Sequence, residues 1–191
     1  MTGMAAGRAG LLVLALAFLQ ACGGSEPADE AGSAPATETL LAEAQELTID
    51  ASSFGCLAEM TQIRHFFVDN LLGDVAATVA VAESTEGGVY PPGSVVQLVP
   101  TEVMVKHPSG YSPATRDWEF FELGVTAEGT SITMRGSVDV VNRFGGNCLD
   151  CHIKAEPQFD LICELDHGCD PIPVTREQIA AVQAADPRCM E

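Results

Sequence analysis

Cys148, Cys151 and His152 stand as CxxCH within the stretch GGNCLDCH. Two cysteines three apart on one helical turn can both reach the vinyl groups at one edge of a haem and form thioethers. The histidine that follows then falls under the iron as an axial ligand. Gly145 and Gly146 permit a sharp turn into such a helix, and Asn147 can cap it. The residues therefore predict one covalently attached haem c, held by Cys148 and Cys151 and ligated by His152.

Two other chemistries use the CxxC spacing. A redox-active disulfide follows a strand in a thioredoxin-like βαβ unit, and nothing in this chain alternates in that way. A zinc ribbon needs a second cysteine pair, and Cys163 and Cys169 have five residues between them where two to four is usual. A zinc-stabilised interaction domain stays as an alternative, but a histidine placed directly after the pair favours haem.

The N-terminal text, MTGMAAGRAGLLVLALAFLQAC, holds one charge, Arg8, and then an uncharged Leu- and Ala-rich run. It reads as a signal peptide, too short for the roughly 20 residues of a spanning helix. Leu19-Gln20-Ala21-Cys22 is similar to a bacterial lipobox, which predicts cleavage before Cys22 and its lipidation. Residues 1–22 are thus read as a lipoprotein signal. Residues 23–50, with seven acids and no base, form an acidic tether, and 51–191 form the domain. The expected location is a bacterial membrane, the outer one slightly favoured because Gly23 and Gly24 follow the cysteine, with the domain facing the periplasm. Disulfides persist there and haem can be attached. The other cysteines, Cys56, Cys163, Cys169 and Cys189, permit three pairings. The pairing taken forward joins Cys163 to Cys169 and Cys56 to Cys189. The formal net charge is −18, which makes nucleic acid and bare anionic lipid poor partners.

An α+β domain has to position the haem segment. Leu57, Met60, Ile63, Phe67 and Leu71 recur at helical steps and predict an amphipathic helix over 56–72, stopped by Gly73-Asp74. Short β-rich runs bounded by turn residues predict an antiparallel sheet of about five strands, at 75–82, 94–99, 101–106, 117–123 and 130–135. A last helix is expected over 175–185 with Thr175 as its N-cap. In the 117–123 strand, alternation sends Trp118 and Phe120 to one face and Phe121 to the other.

The order of a helix, YPPGSVVQLVP, DWEFFEL, an RG pair and a late CxxCH resembles the cytochrome P-460 family and its relatives, the β-sheet type of cytochrome c prime, over roughly residues 56–173. The resemblance implies a haem on an antiparallel sheet, five-coordinate through the proximal histidine, with an open distal face for a small nitrogen compound such as hydroxylamine or nitric oxide. Members that oxidise hydroxylamine also carry a sheet lysine cross-linked to the porphyrin, and gas binders crowd the distal face with phenylalanines. Of the two lysines, Lys106 ends a predicted strand and is the candidate for such a cross-link or distal group; Lys154 follows His152 by two residues. Trp118, Phe120 and Phe121 are candidates to wall a distal pocket, and Arg135 or Glu102 to offer a polar group to the ligand.

An electron carrier needs a sixth ligand, and a sensor or enzyme needs that position vacant. His65, His107, His167, Met60, Met104 and Met134 are the candidates, and no methionine follows His152 before Met190. The expectation is accordingly a haem protein with an open face that binds or oxidises a small nitrogen compound, with a periplasmic redox partner. A six-coordinate electron-transfer cytochrome using His65 or Met104 is the alternative.

Overall fold

A computed structural model describes residues 47–164 and 166–189. Six strands form one antiparallel meander in chain order: β1 (Thr61–Ile63), β2 (Phe66–Asn70), β3 (Ser94–Val99), β4 (Glu102–Lys106), β5 (Trp118–Thr126) and β6 (Gly129–Gly136). The class is α+β, as expected. The last four strands fall where alternation and turn residues place them. Cys22 and nearly all of the tether lie outside the described residues.

Two elements exchange places relative to the expectation. The text over 56–72 is not a helix: after a short 3-10 turn at Leu57–Glu59 it folds into the β1-β2 hairpin. Arg64 takes φ 51° at the turn, and Ile63 pairs with Phe66 across it. The apolar residues fit a helical period, but Ile63, Phe66, Phe67 and Val68 are β-branched or aromatic, and pairing across the hairpin and of β2 with β3 buries them. Conversely 75–82 is not a strand but most of helix α1 (Val75–Glu83). Asp74, read as a stop signal, is its N-cap, accepting the Ala77 amide at 3.2 Å. Four alanines in this run supply helix propensity that the interleaved valines obscured.

The sheet buries both faces. On one, Ile63, Phe66, Val68, Val96, Met104, Trp118 and Phe120 pack beneath α1 and a segment from Cys148 to Ile162. On the other, Val95, Val103, Val105, Phe121 and Leu123 pack with Ile49 and Phe54 from the chain preceding β1. Trp118 and Phe120 therefore share a face and Phe121 takes the opposite one, as alternation requires. The packed domain begins by Ile49, which is 7% exposed, slightly before the boundary placed at 51.

Two disulfides, Cys56–Cys189 and Cys163–Cys169, realise the pairing taken forward. The first closes a loop across nearly the whole domain, so it restricts the unfolded chain strongly. Beside it Asp186 accepts the Leu57 amide at 3.1 Å and pairs with Arg188 at 2.7 Å. The final helix, α3 (Arg176–Ala184), follows α2 (Cys148–His152) and carries the expected Thr175 cap, completed by Gln178 in a capping box. Among the described residues no helix is long and apolar enough to cross a membrane.

Candidate haem-attachment site

After β6 the chain makes a tight loop that delivers α2. Asn142 Oδ1 accepts the amides of Phe144 and Gly146, and Gly145 turns the chain at φ 84°. Asn147 then caps α2 by accepting the Asp150 amide at 3.1 Å, while its Nδ2 donates to the Val138 carbonyl at 2.8 Å. The Cys148 amide donates to Val140 O at 3.0 Å. The GGN stretch thus does the positioning expected of it.

Cys148 and Cys151 are both free thiols and half-buried, while the other four described cysteines are paired. Burial pushes the Cys148 thiol up to about 11, with the Glu102 and Glu122 carboxylates adding to the shift. A cysteine so shifted is a protonated thiol at neutral pH. That is the opposite of the lowered pKa of a thiol–disulfide exchange site.

His152 Nδ1 lies 2.7 Å from the Leu161 carbonyl oxygen. A carbonyl only accepts, so Nδ1 carries the hydrogen and Nε2 keeps its lone pair, the tautomer a metal ligand needs. Burial lowers the pKa of this imidazole, against a smaller opposing effect of the Leu161 bond, and so favours the neutral ring. Its ring centroid is 5.3 Å from that of Phe120.

The Leu161 carbonyl is aimed by an unusual turn. Asp160 and Leu161 are consecutive non-glycine residues at φ 49° and 68°. The left-handed conformation costs about 1–2 kcal/mol per residue, so neighbouring structure must hold it. The Asp160 carboxylate accepts Lys106 Nζ at 2.8 and 3.0 Å and the Tyr90 amide at 3.0 Å. The Asp160 carbonyl accepts the Trp118 indole at 2.7 Å.

These contacts locate the residues singled out in the sequence. Lys106, 5% exposed, lies on the same sheet face as His152, paired with Asp160 and 5.1 Å from the Trp118 ring centroid. Trp118 and Phe120 are buried there, the first on Asp160 and the second on the His152 ring itself. Phe121 and Arg135 are not brought to His152. Arg135 sits 4.9 Å over Phe121 on the opposite face and binds Glu119, which also holds His107. His107 stacks on Tyr111, His167 stacks on Phe159, and His65 lies beside Glu164 and Arg176. Met60 packs on the far face and Met104 in the core beneath α2. Met134 is 42% exposed, and its Sδ accepts the Val141 amide of the loop leading into α2.

Sequence reading missed Asp160, the Leu161 carbonyl and Glu122. Glu122 is buried directly across from Glu102 in the β4-β5 register. Arg143 holds its Oε1 at 2.7 Å, while Oε2 has no partner. Burial, and then the Glu122 charge, raise the Glu102 pKa.

These residues suit a haem. Two free thiols occupy a capped helical turn, the imidazole has its Nε2 free of Leu161, and the adjoining loop leaves Val138, Val141 and Phe144 exposed, Phe144 by 83%. A flat apolar ring would cover such side chains. Among the described residues no cluster of three or more His, Cys, Asp or Glu groups is placed to hold a bare metal ion. No family model matches the chain, and comparison with curated proteins and with solved structures finds no match.

Proposed function

We propose that this chain is a c-type haem protein, lipid-anchored through Cys22 and facing the periplasm. In this reading Cys148 and Cys151 hold one haem by thioethers and His152 Nε2 binds its iron. The observation that carries it is the division of the cysteines: four are joined as disulfides, while the pair in CxxCH stays free beside an imidazole of ligand tautomer. The same division weakens the zinc reading, because Cys163 and Cys169 spend their thiolates on each other.

When bound, the haem supplies an iron that changes oxidation state and takes a small ligand. The chain's own residues fix what it becomes. Leu161 O holds the Nδ1 hydrogen of His152, which orients the ring and makes Nε2 a stronger donor. Phe120 and the apolar face beneath α2 pack against one side of that imidazole. His65, His107 and His167 are engaged elsewhere, and Met60 and Met104 are packed in the two cores. Met134 alone of the six candidates is exposed beside the loop into α2. The reading we favour is an iron with an open position that binds or oxidises a small nitrogen compound, as the resemblance to cytochrome P-460 implies.

A haem stain on a denaturing gel of the exported protein should be positive and should vanish in a Cys148→Ala, Cys151→Ala variant. The ferrous protein should then bind carbon monoxide or nitric oxide with a clear spectral change. An unstained wild type would end the haem reading. A ferrous spectrum indifferent to carbon monoxide would favour a six-coordinate electron carrier, for which Met134, exposed beside the loop into α2, is the ligand to replace first.

A further inference from the structure

We propose that Lys106 and Asp160 are positioning residues for His152: their ion pair locks the left-handed turn at Asp160 and Leu161, and that turn aims the Leu161 carbonyl at the imidazole. The proposal rests on the haem reading of Cys148 to His152.

The register of the sheet sets it up. Lys106 is the last residue of β4, paired with Trp118 at the start of β5, and both project onto the face that the segment from Cys148 to Ile162 covers. A lysine that is 5% exposed must find acceptors for its ammonium hydrogens. It finds three, Asp160 Oδ1, Asp160 Oδ2 and the Arg116 carbonyl at 2.6 Å. Each of those acceptors belongs to a strained turn. Arg116 and Asp117 are consecutive non-glycine residues at φ 50° and 68°, and Asp160 and Leu161 repeat the pattern. Lys106 thus joins two left-handed turns, the first of which also has local support from the Asp117 carboxylate on the Gly110 and Ser112 amides.

The clamp and the imidazole are one peptide apart. Asp160 is fixed at its carboxylate by Lys106 and the Tyr90 amide, and at its carbonyl by Trp118 Nε1. The next carbonyl, that of Leu161, accepts the His152 Nδ1 hydrogen, and the Leu161 side chain is 2% exposed in the core. With all its acceptors in place, Lys106 acts through Asp160 and forms no bond to the porphyrin. Releasing the clamp lets the turn relax, weakens the Nδ1 hydrogen bond and makes Nε2 a poorer donor to iron.

The test uses the full, haem-loaded chain with Lys106→Met, Asp160→Asn and, as control, Lys154→Met. The expected result is a lower iron–histidine stretching frequency and a higher reduction potential in both Lys106→Met and Asp160→Asn, with the control at wild-type values. A merely structural ion pair would change the melting temperature and leave both readouts unmoved, which would overturn the proposal. A wild-type haem peptide that retains Lys106 covalently after digestion would overturn it as well. If neither variant accumulates with haem, Trp118→Phe decides. It deletes one hydrogen bond to the same turn while keeping an aromatic ring, and the same shifts at smaller size are expected; wild-type values would refute the proposal. A wild type without covalent haem is a separate failure, that of the haem reading itself.

Discussion

The two faces of the sheet are built from the same strands by different rules. Facing the segment from Cys148 to Ile162, β4 presents Glu102, Met104 and Lys106, and β5 presents Trp118, Phe120 and Glu122. Facing the N-terminal segment, the same strands present Val103, Val105, Phe121 and Leu123, with Glu119 tied to His107 and Arg135 at one end. The second face is packed for stability. The first accepts buried ionisable groups that an apolar core would avoid, and those groups need partners from the segment above. The ion pair of the first face takes Asp160 from beyond the sheet, whereas the buried Glu119 of the second is held by Arg135 of β6 and by His107 just past β4, so only the first face makes a covering segment part of its charge pairing.

The sharpest way to break this contrast is to strip one charge from the first face. Asp160→Ala leaves Lys106 buried without its counter-ion, which should cost about 3–5 kcal/mol in urea unfolding. Replacing both, Lys106→Met with Asp160→Leu, should restore most of that stability, since an apolar pair of similar volume often matches a buried ion pair. The double variant should still lose the His152 signature. If the double variant were as unstable as Asp160→Ala, the pair would be ordinary structure and the distinction between the faces would weaken.

A comparable loss on the second face should have no echo at the haem. Phe121→Ala removes a fully buried ring that packs on Phe54 at 5.1 Å, and about 3–5 kcal/mol should go with it. The absorption spectrum and ligand affinity of the loaded protein should remain those of wild type. A spectral change as large as that of Asp160→Asn would show that the sheet transmits disturbance between its faces.

What the sequence made legible follows the same division. The strands from β3 to β6 were readable because alternation and turn residues state them locally. The capped turn at Cys148 was readable because Gly145, Gly146 and Asn147 state it locally too. The exchange of helix and strand between Cys56 and Glu83 was not, because Phe66 to Val68 form a strand by pairing with β1 on one side and, from Phe67, with the distant β3 on the other, and Asp74 can either end a helix or start one. Asp160 was invisible among 27 acidic residues until the sheet register placed Lys106 beneath it. The Leu161 carbonyl belongs to the backbone and carries no letter.

Acid should find the second face through Glu119. Burial raises the pKa of this carboxyl, but hydrogen bonds from His107 and Arg135 outweigh it and hold it below its ordinary 4.5. A carboxyl depressed in the folded state contributes stability that is present above its unfolded pKa and lost as pH falls through the folded value. Stability measured downward from pH 5 should therefore fall more steeply in wild type than in Glu119→Gln. The haem spectrum should follow neither slope until the domain unfolds. Equal slopes would remove Glu119 as a source of acid sensitivity.

The smallest expected effect lies in α1, which covers part of the first face and makes no hydrogen bond to the ion pair. Asp74→Ala removes the cap on the Ala77 amide and should cost about 1 kcal/mol, a few degrees of melting temperature. Val79, Val81 and Ala82 pack into the same core as Phe120, so a loosened helix is felt there first. Yet α1 gives no hydrogen bond to Asp160 or Leu161; their supports come from Tyr90, Lys106 and Trp118. The iron–histidine frequency should hold in Asp74→Ala while the melting temperature drops, which separates packing on this face from positioning on it. A frequency that moved with the melting temperature would make the whole first face one cooperative support for His152, with the Lys106 clamp only its most polar part.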